Sequence, residues 1–259
     1  MPRLNRQISY TKVYHIILRG VNKQDIFFSK NDYYKFLDII QDTKEKYKYD
    51  VYTYCLMPNH IHIIMYDIEN KLSKIMQIIA IRYSMYFNKK YDRVGHLFQN
   101  RFLSKKIEDK EYLKMSCRYI HQNPLKAGIG KVEDYKWSSY QEFVTKENII
   151  NTEMILSIFS QLNKEQAKTE FVKFHNAEAN RKIYELMEYE MEDKITDEQL
   201  SEYICELFEI SNVYEILQFN TKKRDEILTK IKENKKITSA QLARVLGISR
   251  KIVERINKV

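Results

Sequence analysis

The feature that most restricts the fold of this 259-residue chain is a pair of strand-like stretches, Tyr49 to Leu56 and His60 to Tyr66, with Pro58-Asn59 breaking the run between them. Both are dense in β-branched and aromatic residues, and so short a joint makes the second stretch the hairpin partner of the first. The second strand follows Met57-Pro58-Asn59 and reads His60-Ile61-His62-Ile63-Ile64-Met65-Tyr66. A period of two puts His60 and His62 on one face and Ile61 and Ile63 on the other.

The flanking patterns extend this hairpin into a sheet with helices. Tyr10 to Leu18 reads as a strand ending at Arg19-Gly20. Asn31 can cap a helix to about Tyr47, with Tyr34, Leu37, Ile40 and Lys44 three or four apart. A second helix spans about Ser73 to Asn88, and Gly95 to Ile107 reads as a loop followed by a short strand. Asp109 can cap a third helix, which must end near Asn123 because Pro124 disfavours helix in the residue before it. The order implies an α+β architecture, a mainly antiparallel sheet with helices packed against it.

From about Glu147 to Ile210 the pattern is helical and acidic, without Gly or Pro. We expect a first domain over 1–146, an acidic helical connector over 147–220 and a DNA-binding segment over 221–259, so the C-terminal region is all-α. In the last segment Thr238 and Gln241 stand at capping-box spacing, Gly247 suits a left-handed turn, and Ser249 can cap a following helix. This resembles a helix-turn-helix with Arg250, Lys251 and Arg255 available to phosphates or base edges. A plain helical hairpin with a solvated basic face is the alternative.

The net charge of +9 is unevenly spread. Residues 1–145 carry a surplus of about +10, residues 146–220 about −9, and residues 221–259 about +8. Two basic blocks around an acidic one suggest two surfaces for a polyanion, uneven charge on a Lys-rich surface being the plainer reading. No apolar run approaches the ~18 residues of a membrane span, and no apolar signal core follows the N-terminus. Cys55, Cys117 and Cys205 form no disulfide framework. We expect a cytoplasmic bacterial protein, nucleoid-associated when bound to DNA.

Two imidazoles side by side on a rigid strand are half of a metal site, although two strand histidines making ordinary hydrogen bonds give the same pattern. No other Cys or His has zinc-like spacing to them, and His15, His96, His121 and His175 are isolated in the sequence. Two imidazoles with an oxygen ligand suit Mg²⁺ or Mn²⁺ holding a phosphate, with Zn²⁺ still open.

Five motifs occur in order: Tyr14-His15-Ile16-Ile17-Leu18-Arg19-Gly20, Met57-Pro58-Asn59-His60-Ile61-His62, Gly95-His96-Leu97-Phe98-Gln99-Asn100-Arg101-Phe102, Tyr119-Ile120-His121-Gln122-Asn123-Pro124-Leu125-Lys126-Ala127-Gly128 and Trp137-Ser138-Ser139-Tyr140. Over residues 8–145 the chain resembles the single-tyrosine HUH transposases, and within them the REP-associated tyrosine transposases. The resemblance implies a ferredoxin-like or RRM-like sheet with the His pair on a central strand. It also implies Tyr119 as nucleophile and His60, His62 and Asn123 as ligands of Mg²⁺ or Mn²⁺. Positions i and i+4 of a helix share a face, which agrees with a Tyr119/Asn123 pair. Spacing alone does not select that pair, because Tyr66/Asn70 and Tyr214/Gln218 match it too.

The activity so implied is a metal-dependent single-stranded DNA endonuclease and strand transferase acting through a 5′-phosphotyrosine intermediate, in transposition or on REP-like hairpins. A domesticated DNA-binding regulator relying on the helix-turn-helix is the alternative. Lys71 to Lys106 holds nine Lys or Arg against one acid, interleaved with Tyr83, Tyr86, Phe87, Tyr91 and Phe98, a composition for phosphate contact and base stacking, although most of those aromatics, Phe87 and Phe98 above all, also fit a core. The expected DNA contacts are Arg19, Arg101, Lys105 and Lys106, the partner single-stranded or hairpin DNA; the pattern leaves room for a homodimer.

Overall fold

The structure is a computed structural model, which describes residues 8–145, 148–161, 163–177, 197–234 and 237–255. The first elements are β1 (Val13–Arg19), α1 (Lys30–Tyr47), β2 (Asp50–Met57), β3 (His60–Tyr66), α2 (Leu72–Lys90) and β4 (Leu103–Ile107). All strand pairings are antiparallel, in the order β2-β3-β1-β4. A βαββαβ chain in that order is the ferredoxin-like fold.

Strand patterning divides the core between two faces. Ile16 and Leu18 of β1 and Ile61, Ile63 and Met65 of β3 join Phe36, Ile39 and Ile40 of α1 and Ile75, Met76 and Ile79 of α2 in one buried cluster. The other face carries α3 (Lys110–His121), which lies against β2, β3 and β4. Asp109 caps α3 as expected, accepting from the Tyr112 N–H at 2.7 Å. The short α4 (Asn123–Lys126) follows at once, with Pro124 near its start, where a missing N–H costs least.

Helix α1 starts earlier than the Asn31 cap predicts. Ser29 is its N-cap, in a capping box with Asp32, so Asn31 sits inside the first turn. Asp32 has further partners. Its carboxylate accepts from the N–H groups of Phe28 and Ser29 and from Tyr86, Lys90 and Tyr91. Most of the aromatic series interleaved with the lysines of 71–106 lies in the interior, as the core reading of it expects. Tyr83, Phe87 and Phe98 are core residues, and Tyr86 and Tyr91 spend their hydroxyls on Asp32.

Two of the sequence motifs are explained by pairing at the sheet margins. Gln99 N–H donates to the Arg19 carbonyl at 2.9 Å and Val21 N–H to that of Leu97 at 3.0 Å, which seats residues 97–99 against the end of β1. At the opposite edge Leu56 N–H donates to the Trp137 carbonyl and Ser139 N–H to that of Tyr54, so the Trp137–Ser139 stretch runs beside β2. Trp137 stacks on Tyr33 with centroids 4.3 Å apart.

The chain divides into two compact units, 1–191 and 192–259. The segment expected as a connector contributes to both, and 178–196 lies outside the described residues. In the first unit α5 (Tyr140–Val144), α6 (Glu153–Phe159) and α7 (Lys164–Asn176) follow, and α6 and α7 both pack on α3. The second unit holds α8 (Asp197–Phe208), α9 (Thr221–Lys232), α10 (Ser239–Leu246) and α11 (Arg250–Arg255) around its own core of Leu200, Ile204, Leu228, Ile231, Leu242 and Leu246. Thr238 caps α10, and Gly247 takes the left-handed conformation (φ 67°) between α10 and α11. Among the described residues, no helix is long and apolar enough to cross a membrane.

Candidate active site

Register places the site. Arg19 pairs with His60, Ile17 with His62, and His15 with Lys105, so all of these lie on the face covered by α3. The rings of His60 and His62 are 5.0 Å apart. The Tyr119 ring stands edge-on to His62 at 5.7 Å and to His15 at 6.1 Å. Asn123 completes the group, within hydrogen-bonding reach of the His60 ring. Tyr119, His60, His62 and Asn123, all expected from the sequence as site residues, therefore converge.

Hydrogen bonds orient each donor. The Asn123 amide N–H donates to the Tyr119 carbonyl at 2.8 Å, which fixes the amide and turns its oxygen away from the helix end. Asn59 is fixed likewise, since its amide donates to the Lys23 carbonyl, so its oxygen accepts from His60 Nδ1 at 2.6 Å. With Nδ1 so committed, His60 Nε2 is left as a lone pair on a ring within hydrogen-bonding reach of Asn123. His62 Nδ1 is 3.0 Å from His15 Nε2, which leaves His62 Nε2 for a ligand. This donor set, two imidazoles and an amide oxygen, fits a divalent cation that accepts nitrogen and oxygen.

Burial keeps the rings neutral and therefore able to ligate. It lowers His15 to about 3, with the charge of Lys105 adding to the effect. It lowers His60 to about 4, aided by Arg19 and opposed by the Asn123 hydrogen bond. His62 falls well below the ordinary imidazole value, through burial first and then through His60, His15, Arg19 and Lys126. Lys126 also sits over the Tyr119 ring, 4.4 Å from its centroid. Arg19 and Lys126 give the site a cationic rim suited to a phosphodiester.

Residues 8–123 match the family model described as "Transposase IS200 like". Over that span the chain is similar to IS200-like transposases. A protein of Haemophilus influenzae named as a REP-associated tyrosine transposase is 29% identical over 126 residues, covering 44% of this chain and 71% of that protein. A solved structure of a REP-associated tyrosine transposase bound to a REP hairpin is 18% identical, with a TM-score of 0.48 over 59% of this chain and 90% of that one.

The expected DNA contacts are only partly gathered at this site. Arg19 lies beside His60, and Lys105 lies on the same face, half-buried, with its ammonium 4.6 Å from the Tyr112 centroid. Lys106 alternates to the other face and pairs with Glu108 at 3.3 Å, and Arg101 is exposed on the loop before β4. Arg250, Lys251 and Arg255 belong to the second unit, where Arg250 pairs with Glu254 at 2.6 Å and Arg255 with Asp225 at 3.4 Å. Three residues of the site escaped the sequence reading. Asn59 and Lys126 sat inside quoted motifs without a role. His15 was isolated in sequence, and only the β1–β3 register brings it to His62.

Proposed function

We propose that the first unit cleaves and rejoins single-stranded or hairpin DNA, with Tyr119 as nucleophile and His60, His62 and Asn123 as ligands of Mg²⁺ or Mn²⁺. The observation that carries this reading is the convergence of those three donors beside the Tyr119 ring. The Haemophilus relative named as a REP-associated tyrosine transposase supports REP-like DNA as the substrate class.

In this mechanism Arg19 and Lys126 draw the scissile phosphate to the site. The chemistry a bound Mg²⁺ or Mn²⁺ supplies is Lewis-acid neutralisation of the phosphate oxygens. The Tyr119 oxygen attacks phosphorus in line and loses its proton. The P–O3′ bond breaks, the departing oxygen takes up a proton as a free 3′-hydroxyl, and the 5′-phosphate stays on Tyr119. A second 3′-hydroxyl reverses the step and joins a new strand, because the covalent link conserves the phosphodiester bond. His15 and Asn59 hold the two imidazoles in orientation throughout.

The second unit serves in this reading as a helix-turn-helix that adds duplex contacts through Arg250, Lys251 and Arg255. Incubation of 5′- and 3′-labelled hairpins with the protein and Mn²⁺ tests the whole proposal. We expect a covalent adduct carrying the 3′ fragment, abolished in Tyr119→Phe while hairpin binding is kept. An adduct that persists in Tyr119→Phe would move the nucleophile elsewhere, and no cleavage by the parent protein would remove the activity.

A further inference from the structure

One buried cluster has no part in the proposed reaction. Cys117 and His121 sit one turn apart on α3, and His175 comes from the last turn of α7, beyond the span similar to IS200-like transposases. One donor atom from each lies within 4.8 Å of the others. The Cys117 Sγ is 3.9 Å from His121 Nδ1, which is 3.0 Å from His175 Nε2. All three side chains are buried.

The outward nitrogens are anchored in the way metal-ligating histidines are. His175 Nδ1 donates to the Phe171 carbonyl at 2.8 Å, so its Nε2 lone pair points inward. His121 Nε2 faces the hydroxyls of Thr53 at 2.7 Å and Ser139 at 2.9 Å. The inward side thus gathers a thiol, one nitrogen lone pair and a second nitrogen that a tautomer shift can free. Bonds of about 2.0–2.1 Å to nitrogen and about 2.3 Å to sulfur set tetrahedral ligand atoms roughly 3.3–3.6 Å apart. The separations of 3.0 and 3.9 Å straddle that range, within a few tenths of an ångström of adjustment.

We propose that Cys117, His121 and His175 bind a soft metal ion, Zn²⁺ in the first place, which fastens α7 to the helix carrying Tyr119. A nitrogen–sulfur set selects Zn²⁺ over the Mg²⁺ or Mn²⁺ suited to His60, His62 and Asn123, so the two sites do not compete for one ion. Burial already holds both rings neutral, with His175 lowered to about 3. Burial also pushes the Cys117 thiol up to about 12, and a coordinating thiol loses its proton to the metal outright. Binding releases that proton and moves the His121 proton from Nδ1 to Nε2, where Thr53 or Ser139 accepts it. No redox change accompanies it. Without the ion, a single proton between His121 Nδ1 and His175 Nε2 holds the two rings together.

The test uses the full chain as His60→Ala/His62→Ala, which silences the other site, stripped of metal under reducing conditions. Titration with Co²⁺ should give a near-ultraviolet thiolate-to-cobalt charge-transfer band that saturates at one equivalent per chain. Cys117→Ser should lose the band and Cys205→Ser should keep it. Zn²⁺ should be retained at one per chain through dialysis and raise the melting temperature by several degrees. Absence of the band and of retained Zn²⁺ in the parent, or a band that survives Cys117→Ser, would overturn the site and leave the shared proton as the link.

Discussion

The contact between His15 Nε2 and His62 Nδ1, at 3.0 Å, decides which nitrogen His62 presents to a ligand. Replacing His15 with Ala is expected to weaken Mn²⁺ affinity by about 10–100-fold without unfolding the domain, the usual cost of losing a ligand's orienting partner. Titration of the variant under conditions where circular dichroism is unchanged measures it, and unaltered affinity would reduce His15 to packing. Gly20 is constrained in a different way. A Cβ there would meet the Gln24 carbonyl oxygen at 2.2 Å and Ile26 Cγ2 at 2.9 Å. Gly20→Ala must therefore displace backbone, and we expect a loss of about 1–3 kcal/mol in urea unfolding. The sequence announced Gly20 as a turn residue but not the close approach behind it. It announced that His60 and His62 share a face, because strand alternation is local, whereas His15, His121 and His175 acquire their partners only through long-range packing.

At the level of elements, the sharpest junction is the one Asp32 makes between the start of α1 and the end of α2. Burial alone would raise its carboxyl. The hydrogen bonds from Lys90, Tyr91, Phe28 and Ser29 more than offset this and bring it down to about 2. Its folded value is depressed, so the stabilisation is present above the ordinary carboxylate range and is lost as pH falls from about 4 toward 2. Asp32→Ala leaves Lys90 and two tyrosine hydroxyls without their acceptor and should cost about 3 kcal/mol or more at pH 7, read from denaturant midpoints. The aromatic residues near this junction show where patterning is ambiguous. Tyr83 and Phe87 recur at helical spacing among lysines, and that period is the same whether the face meets DNA or core. The hairpin and α3 were easier to read, since Pro58, Asp109 and Pro124 mark their limits chemically.

For the molecule as a whole, histidine burial sets the acid limit. Five of the six histidines, His15, His60, His62, His121 and His175, are held below the ordinary imidazole value, each chiefly by burial. The unfolded chain protonates them first, so stability falls as pH drops below about 6.5, by up to about 1.4 kcal/mol per pH unit for each ring. Urea midpoints between pH 7.5 and 4.5 should decline steeply, and a flat profile would mean that the rings protonate in place. The acidic segment reads as one helical run in sequence, yet its residues contribute to two separate cores. Composition reports solvation there and is silent about which core each apolar face joins.

The two flanks of α3 carry one further consequence. Tyr119 lies about 200° around the axis from Cys117 and His121, at about 100° per residue. Tyr119, with Asn123 at the start of α4, turns to His60 and His62, and the Cys117/His121 flank is held by Thr53, Ser139 and His175. A helix gripped on both flanks has a fixed phase. One residue inserted between Lys114 and Cys117, a change many surface helices absorb by rolling, would swing everything beyond it by about 100° and misplace Tyr119 and the Cys117/His121 pair together. In α3, length and not only sequence is under constraint, and insertion scanning should mark it as a segment that admits no change of count.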